Sequence, residues 1–230
     1  MSERITTVEN LQILYEDNHI IAINKRAGDI VQGDKTGDQP LSNIVKAYIK
    51  NVYNKPGNVY LGVVHRLDRP TSGVVLFAKT SKALSRLNKM LAKRSIHKTY
   101  WAFVNQIETK SGRLVHYLRK NPKNNKSTAF VKPTADAKKA ILSYKVIKQL
   151  ERYSLLEIQL ETGRHHQIRV QLSSQGFPIK GDLKYGFNRS NKDGSIHLHA
   201  RHIAFTHPVS KEEISITAPT PSDVIWNAAN

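Results

Sequence analysis

The sequence predicts an α+β protein in which a mixed, largely antiparallel sheet carries a few helices packed over it. Segments of strand-forming character outnumber amphipathic helical segments along the chain. Short polar stretches join neighbouring strand segments, which is typical of antiparallel hairpins. With 230 residues, 39% of them hydrophobic, the chain is long enough to bury a proper core.

Six segments carry the strand prediction. They are 11–25, 63–64, 74–78, 98–104, 140–149 and 153–161. The first forms two strands because Glu16-Asp17-Asn18 has the composition of a tight turn. The segments at 63–64 and 74–78 have the β-branched and aromatic residues of buried strands, and the last two alternate in polarity around Glu151-Arg152. The stretch 109–135 is polar and basic, with a flexible loop expected at 121–126.

Two helices are predicted in the N-terminal half. The first covers 41–50, where the apolar residues share one face. The second begins at Ser81, which can cap it, and runs to about Arg94 with leucines on its buried face. The opposite face of this helix carries a basic ridge formed by Lys82, Arg86, Lys89 and Lys93. Such a ridge can follow an RNA backbone, although an ordinary solvated face has the same pattern.

Charge is the most informative property of the composition. The chain has 36 lysines and arginines against 18 aspartates and glutamates, which gives a net charge of +18. Neither 69–107 nor 109–135 contains an acidic residue. This imbalance predicts a polyanionic partner, RNA or DNA, and no membrane partner, because no apolar face accompanies the charge.

The sequence also limits the compartment and the chemistry. It has no cysteine, which excludes disulfides, thiolate nucleophiles and cysteine-based zinc sites. No stretch approaches the roughly eighteen apolar residues of a membrane span, and residues 1–10 lack a signal-peptide pattern. We therefore expect a cytoplasmic protein.

One carboxylate lies in a constrained turn between the strands at 63–64 and 74–78. Asp68 has Arg66 and Arg69 beside it, Pro70 fixes the backbone, and Gly73 permits a conformation closed to other residues. We call residues 65–71 the Asp68 turn. From the spacing alone, Asp68 and Thr71 could equally cap the turn by binding backbone amides.

The motif His65-Arg66-Leu67-Asp68 followed by Thr71-Ser72-Gly73 resembles the signature of the RluA-type pseudouridine synthases. Further motifs resemble that family in the same order. They are 24–28 (with Arg26 where the family has proline), 98–104, Glu161-Thr162-Gly163-Arg164-His165-His166-Gln167-Ile168-Arg169, 181–186, 197–200 and 205–208. The resemblance implies the pseudouridine synthase catalytic fold with a central basic cleft. It also implies a single catalytic domain over 1–230 whose core covers about 11–219.

The resemblance implies roles for individual residues. Asp68 is the catalytic carboxylate, Tyr100 stacks against the target base, and Arg164 pairs with Asp68 to keep it ionised. On pattern alone, Tyr100 is a core residue of its strand. Gly163 is expected to permit the sharp turn before the next helix, which buries Ile168 and Leu172. Further substrate-binding positions are His65, Arg66, Thr71, Lys98, His166, Gln167 and Arg169.

Pseudouridine formation breaks the bond from ribose C1′ to uracil N1 and joins C1′ to C5, without any cofactor or metal. The carboxylate either attacks C1′ or removes the C2′ proton, and the sequence leaves both routes open. A stacked uridine must first be flipped out at a cost of a few kcal/mol. Arg66 is the candidate to fill the vacated place.

Three other functions compete with this interpretation. Ten histidines raise the question of a metal site, but no acidic residues cluster with them. A nuclease would need a pair of acid–base groups. His65 is not a suitable partner for Asp68, because in an extended chain the two side chains lie on opposite sides. A non-catalytic RNA-binding or ribosome-assembly factor on the same fold is the serious alternative.

Substrate choice is expected to depend on the catalytic domain itself, because only about ten residues precede the first predicted strand. The expected substrate is ribosomal or transfer RNA and not DNA, bound by a monomer.

Overall fold

The computed structural model describes residues 6–34 and 36–229. Its strands are β1 (Ile13–Glu16), β2 (Ile20–Lys25), β3 (Gly62–Val63), β4 (Ser72–Ala78), β5 (His97–Asn105), β6 (Ser111–Asn121), β7 (Lys126–Phe130), β8 (Lys138–Gln149), β9 (Tyr153–Leu160), β10 (Leu198–Thr206) and β11 (Glu213–Thr217). Its helices are α1 (Leu41–Val52), α2 (Ser81–Ala92), α3 (Gln167–Ser174) and the short α4 (Val224–Asn227). A 3₁₀ turn covers Leu183–Tyr185.

The described residues form two compact units. The first unit contains the residues up to His97 together with Ala200–Pro221, and the second contains Lys98–His199 together with the residues from Ser222 onward. The chain therefore passes from one unit to the other within β5, within β10 and after Pro221.

The first unit is built on β2 and β4, which pair antiparallel from Ile20 opposite Ala78 to Lys25 opposite Gly73. Both strands are almost completely buried, because helices and neighbouring strands leave neither face to solvent. β1 pairs with β2, β3 pairs with β4, and β11 pairs with β10, all antiparallel. The predicted hairpin at 11–25 and the strands on both sides of the Asp68 turn are confirmed.

The two predicted helices of this unit are present, with one correction at a cap. α1 buries Leu41, Ile44 and Val45, as predicted. α2 begins at Ser81, but Thr80 is its cap, since the Thr80 side chain accepts a hydrogen bond from the Ala83 amide. The prediction that Ser81 caps this helix was wrong because two adjacent hydroxyl residues precede the apolar stripe and either can act as the cap.

The second unit is an antiparallel sheet in the order β5, β9, β8, β6, β7. The strands predicted at 98–104, 140–149 and 153–161 are confirmed as β5, β8 and β9. The basic stretch 109–135 is more ordered than predicted, because most of it forms the hairpin of β6 and β7. The connection between them at 122–125 is a turn, and we call this turn with its two flanking residues the hairpin tip (121–126).

Each of the strand pairings described above, within residues 6–34 and 36–229, is antiparallel, and helices pack against the strands. The predicted α+β class with a largely antiparallel sheet is therefore confirmed. None of the described helices is long and apolar enough to cross a membrane.

Candidate active-site turns

The Asp68 turn is a tight β-turn closed by a backbone hydrogen bond. The Thr71 amide donates to the Asp68 carbonyl oxygen at 3.0 Å. Asp68 is half-buried, whereas Arg66 and Arg69 on either side are exposed. Arg69 forms an ion pair with Asp38 at 2.7 Å. The turn therefore presents one carboxylate between two cations, one of which has an acidic partner in the same unit.

Gly73 is the second residue of β4, just after this turn, and has a backbone conformation that requires glycine. Its φ is +113°, and a Cβ atom there would lie 2.3 Å from the Ala200 carbonyl oxygen on β10. No side chain can occupy that space, so the backbone of β10 lies directly against the end of the turn. The predicted role of Gly73 is confirmed.

Lys25 holds the Asp68 turn from beneath, and the sequence did not predict this. Its side chain is only 1% exposed. The ammonium group donates to the carbonyl oxygens of Arg26 at 2.8 Å, Arg69 at 3.2 Å and Thr71 at 2.8 Å. The Gly28 amide donates to the same Arg69 carbonyl at 2.8 Å. The 24–28 loop and the Asp68 turn are thus joined through one buried cation.

Burial lowers the pKa of Lys25 to about 7, and the nearby carboxylates of Asp29 and Asp68 oppose that shift. A lysine on a strand is normally exposed. The signal that could have revealed it was its position inside the 24–28 family motif, which the sequence analysis used only to recognise the family.

Two predicted binding residues of this turn have internal roles. His65 accepts a hydrogen bond from the Leu76 amide through Nε2 at 3.2 Å. Thr71 is 2% exposed, and its Oγ1 is buried with no hydrogen-bond partner among the described residues. The carbonyl of Thr71 binds Lys25, so Thr71 helps to fix the turn through its backbone.

The second family motif forms another turn, which we call the Arg164 turn (161–166), in the second unit. Gln167, the first residue of α3, stabilises this turn through its side chain. The Gln167 Oε1 atom accepts hydrogen bonds from the Thr162 hydroxyl at 2.8 Å and the Arg164 amide at 2.9 Å, and Nε2 donates to the Ile141 carbonyl at 3.0 Å. Gln167 is buried, so it shapes the turn that presents Arg164.

The left-handed residue of the Arg164 turn is His166, with φ of +53°, and Gly163 is not among the residues with positive φ. The prediction that Gly163 supplies the unusual backbone conformation of the sharp turn before the helix was therefore wrong. A Cβ atom at Gly163 would lie 3.8 Å from the Lys98 ammonium nitrogen, which is ordinary contact. The structure thus brings Lys98 of β5 beside this turn, and burial lowers the pKa of Lys98.

His166 and Arg169 have buried partners from the 181–186 motif. Arg169 is 5% exposed and binds Asp182 through Nε at 2.7 Å and through a terminal nitrogen at 2.8 Å. The His166 Nδ1 atom lies 2.8 Å from the Tyr185 hydroxyl oxygen, which also accepts the Ser127 amide at 2.8 Å. Because that hydroxyl already accepts, it can donate its proton to His166. Asp182 and Tyr185 therefore support the turn, a role the sequence analysis had not assigned.

Arg164 and Tyr100 differ in exposure. Arg164 is exposed, and its Nε donates to the Lys139 carbonyl at 3.1 Å. Tyr100 is 7% exposed and lies on β5 opposite Ile158. Its burial agrees with the core position expected from the strand pattern, while the guanidinium of Arg164 is accessible to a bound molecule.

The basic ridge of α2 is exposed at three of its four positions, namely Lys82, Lys89 and Lys93. Arg86 instead donates to the Pro208 carbonyl oxygen at 2.9 Å, within the first unit. Three cations of the ridge remain directed to solvent.

The buried histidines of the C-terminal motifs contact side chains within their own units. His197 stacks on Trp226, and its Nε2 lies 3.2 Å from an Asp223 oxygen. His207 lies 2.9 Å from an Asp17 oxygen. In the part of the chain that the structure describes, no group of three or more histidine, aspartate or glutamate side chains is arranged to hold a metal ion.

The fold and these turns define a strongly basic α+β protein that presents a fixed carboxylate and an accessible arginine on rigid turns. The sequence profile of the RNA pseudouridylate synthase family matches residues 19–174. The chain belongs to that family. The predicted class of enzyme, an isomerase acting on RNA uridines, is thereby confirmed.

Several curated relatives match over most of the chain. The ribosomal large subunit pseudouridine synthase D of Zymomonas mobilis is 33% identical, covering 93% of this chain and 70% of the relative. The protein of the same name from Neisseria meningitidis serogroup B is 35% identical, covering 93% and 59%. The ribosomal large subunit pseudouridine synthase C of Buchnera aphidicola is 34% identical, covering 95% and 70%. The chain spans 59–70% of the length of these three relatives.

Solved structures have the same fold. Human RNA pseudouridylate synthase domain containing 4 superposes with a TM-score of 0.78 at 24% identity, covering 95% of this chain and 92% of that one. Human RNA pseudouridylate synthase domain containing 1 superposes with a TM-score of 0.74 at 22% identity, covering 97% and 89%. These two similarities concern the fold alone.

Proposed function

We propose that this chain isomerises uridines of large-subunit ribosomal RNA to pseudouridine, with Asp68 as the catalytic carboxylate. The observation that carries the proposal is the construction of the Asp68 turn. A buried lysine, a β-turn hydrogen bond and a glycine in contact with β10 fix the backbone around one half-buried acid. The names of the relatives, which refer to the large ribosomal subunit, support the choice of RNA.

Asp68 acts at the ribose of the target uridine. It either attacks C1′, as a glycosidase nucleophile does, or removes the C2′ proton to give a glycal. Both routes need an ionised carboxylate at a fixed distance from the sugar. The rigid turn supplies this position, because it costs no reorganisation when the substrate binds.

Arg164, Tyr100 and Lys98 act on the same uridine in this proposal. Arg164 offers an exposed guanidinium to the RNA, Tyr100 stacks against the base, and Lys98 contributes a positive charge beside the Arg164 turn. The support within the second unit is the exposed guanidinium of Arg164 and the 3.8 Å approach of Lys98 to the position of a Gly163 Cβ. His166, Gln167 and Arg169 act indirectly by holding this turn.

Arg66 fills the place that the flipped uridine leaves. Its exposed side chain adjoins Asp68 on a fixed turn, and a planar guanidinium can stack between bases. His65 and Thr71 support the turn from within. The RNA backbone follows Lys82, Lys89 and Lys93, whereas Arg86 keeps α2 against the Pro208 carbonyl.

In this proposal a single catalytic domain over 1–230, with its core at about 11–219, carries the reaction and a basic cleft for RNA. The protein acts as a monomer in the cytoplasm, without a cofactor, and binds RNA in preference to DNA. The net charge of +18 supports a polyanionic substrate.

Tritium release from RNA labelled at uracil C5 tests this function. Unmodified transcripts of large-subunit ribosomal RNA, transfer RNA and a mixed-sequence control are incubated with wild type and with Asp68→Asn. Release from the ribosomal transcript by wild type, with a loss of at least about 10³-fold in Asp68→Asn, is expected for a residue that does the chemistry. Equal release by both proteins would refute the assignment of Asp68 as the catalytic carboxylate.

Release only from transfer RNA would show that the substrate is transfer RNA and not ribosomal RNA. Absence of release from all transcripts and from an assembled large subunit, with tight RNA binding retained, would favour a non-catalytic RNA-binding factor.

A further inference from the structure

His165 occupies the one position of the motif at 161–169 for which the family resemblance specifies no residue. It is half-buried, and its ring stacks on that of His166 with 3.8 Å between ring centroids and 23° between planes. The Arg164 turn therefore contains a histidine whose presence the family pattern does not explain. Its contacts differ from those of its neighbours.

Both ring nitrogens of His165 are directed at the hairpin of β6 and β7. Nδ1 lies 2.8 Å from the Ser127 hydroxyl oxygen, and that hydroxyl also lies 2.9 Å from the His165 carbonyl oxygen. Nε2 lies 3.1 Å from the Asn125 Oδ1 atom. An amide oxygen only accepts, so this contact is a hydrogen bond in the form of His165 that carries a proton on Nε2. The His165 side chain thus joins the Arg164 turn to two residues of the hairpin.

Asn125 is the residue that shapes the hairpin tip. Its φ is +49°, which is the left-handed region that asparagine tolerates better than most residues. The Lys184 ammonium group lies 3.4 Å from the Asn124 carbonyl oxygen and 3.3 Å from that of Asn125. The tip is therefore held by two residues from outside the hairpin, His165 and Lys184.

The tip is also a concentration of positive charge. Lys120, Lys123, Lys126 and Lys184 are all exposed there. No acidic residue lies between Glu108 and Asp136 to compensate for this charge. Such a surface fits the phosphate backbone of RNA.

We propose that His165 is a positioning residue that ties this cationic hairpin tip to the Arg164 turn, so that the tip meets the RNA backbone in a fixed position relative to Arg164. The inference rests on the proposed function and concerns how the enzyme places its substrate. His165 does not touch the reacting atoms. It acts through Asn125 and Ser127.

Two substitutions remove the link from opposite ends. His165→Phe keeps an aromatic ring to stack on His166 and removes both hydrogen bonds. Asn125→Gly keeps the left-handed backbone and removes the accepting amide oxygen. Asn125→Asp is the conservative variant, because a carboxylate accepts the same hydrogen bond. His202→Phe is the matched control, since it removes one comparable contact, from His202 Nε2 to the Ser215 hydroxyl at 2.8 Å, in the first unit.

Steady-state tritium release from a structured ribosomal transcript gives the first measurement. His165→Phe and Asn125→Gly should each raise KM about five- to tenfold, the loss expected for one hydrogen bond, with kcat within about twofold of wild type. Asn125→Gly leaves the Ser127 contact of His165 in place, so the double variant should be no worse than His165→Phe alone. His202→Phe should leave KM unchanged. Additive losses, or a fall in kcat alone, would overturn the proposal.

Hydrogen exchange of the RNA-free protein gives a second measurement that needs no activity. Amides of residues 122–127 should exchange several-fold faster in His165→Phe and Asn125→Gly than in wild type, whereas Asn125→Asp and His202→Phe should retain protection. Unchanged exchange in His165→Phe would overturn the link. If wild type releases no tritium from any RNA, the proposed function fails, while the exchange experiment still decides whether His165 holds the tip.

Discussion

The Asp68 turn and the Arg164 turn are both rigid, but they are held by different means. The Asp68 turn depends on backbone groups. The ammonium group of Lys25 binds three carbonyl oxygens, and Gly73 has no side chain to prevent close contact with the backbone of β10. The Arg164 turn depends on side chains: an amide at Gln167, the ion pair of Arg169 with Asp182, and the contact of His166 with Tyr185.

This difference has a consequence for how each turn tolerates substitution. A turn held through its backbone is insensitive to the identity of most of its side chains but cannot tolerate a change where backbones touch. A turn held by a side-chain network can lose one member and keep the others, except where the loss leaves a buried charge without its partner. Four substitutions test this comparison.

Gly73→Ala should have the largest effect. The added Cβ would meet the Ala200 backbone at 2.3–2.7 Å in a conformation with φ of +113°, so β4 and β10 must separate. We expect a loss of more than about 4 kcal/mol in the free energy of unfolding, or no soluble protein. Urea denaturation followed by circular dichroism measures it. A loss below about 1 kcal/mol would show that the contact can relax.

Arg169→Met should come next, because it leaves the Asp182 carboxylate buried without its partner. Breaking such a pair costs about 3–5 kcal/mol. The same denaturation experiment measures it, and the double variant Arg169→Met with Asp182→Leu should recover part of the loss. Arg113→Met is the control: its pair with Glu161 at 2.9 Å is exposed, so a far smaller change is expected. Equal losses in the two single variants would contradict the buried-pair explanation.

Lys25→Met should cost about 2–4 kcal/mol at pH 7, because it removes the donor shared by three buried carbonyl groups. The effect should also depend on pH. The pKa of Lys25 is about 7 in the folded protein, while an unfolded lysine has a pKa of about 10.4. Between these values the unfolded state binds more protons, so the contribution of Lys25 to stability rises as pH increases.

Denaturation of wild type and Lys25→Met in a series from pH 7 to pH 10 measures this dependence. The difference in unfolding free energy between the two proteins should widen as the pH rises. A constant difference would show that the ammonium group titrates normally in the fold.

Gly163→Ala should have the smallest effect. Gly163 lacks a positive φ, and the nearest group to an added Cβ is the Lys98 ammonium nitrogen at 3.8 Å. A change within about 0.5 kcal/mol is expected, as for ordinary surface substitutions. Together with Gly73→Ala, this variant compares the glycines of the two turns directly. A loss as large as that of Gly73→Ala would mean that the Arg164 turn also depends on backbone contact.

Local sequence patterns predicted the elements that depend on nearby residues. The hairpin at 11–25, both N-terminal helices and strands β5, β8 and β9 follow from periodicity and turn composition. Gly73 was predicted correctly because its neighbours already require a tight turn. The hairpin of β6 and β7 was missed because the stretch 109–135 is polar and basic as a whole, although β6 buries alternate residues at Leu114, His116 and Leu118.

The candidate site was only partly predictable for a related reason. The motifs identified Asp68 and Arg164, but not what holds them. Thr80 rather than Ser81 caps α2, and His166 rather than Gly163 adopts the left-handed conformation. Thr80 is chosen by a local hydrogen bond from the Ala83 amide, whereas His166 is held by the Tyr185 hydroxyl from a distant part of the second unit.

The sequence by itself determined the α+β class, the family, the excess of positive charge and the acid at the centre of its turn. These properties depend on composition and on short motifs, which are present in the sequence before the chain folds. Only the tertiary structure decided that Lys25 is buried beneath Asp68, that Arg169 binds Asp182 and that His165 reaches the hairpin tip. These contacts join residues 13 to 46 positions apart in the chain, and burial changes the chemistry of a charged group only once the fold has enclosed it.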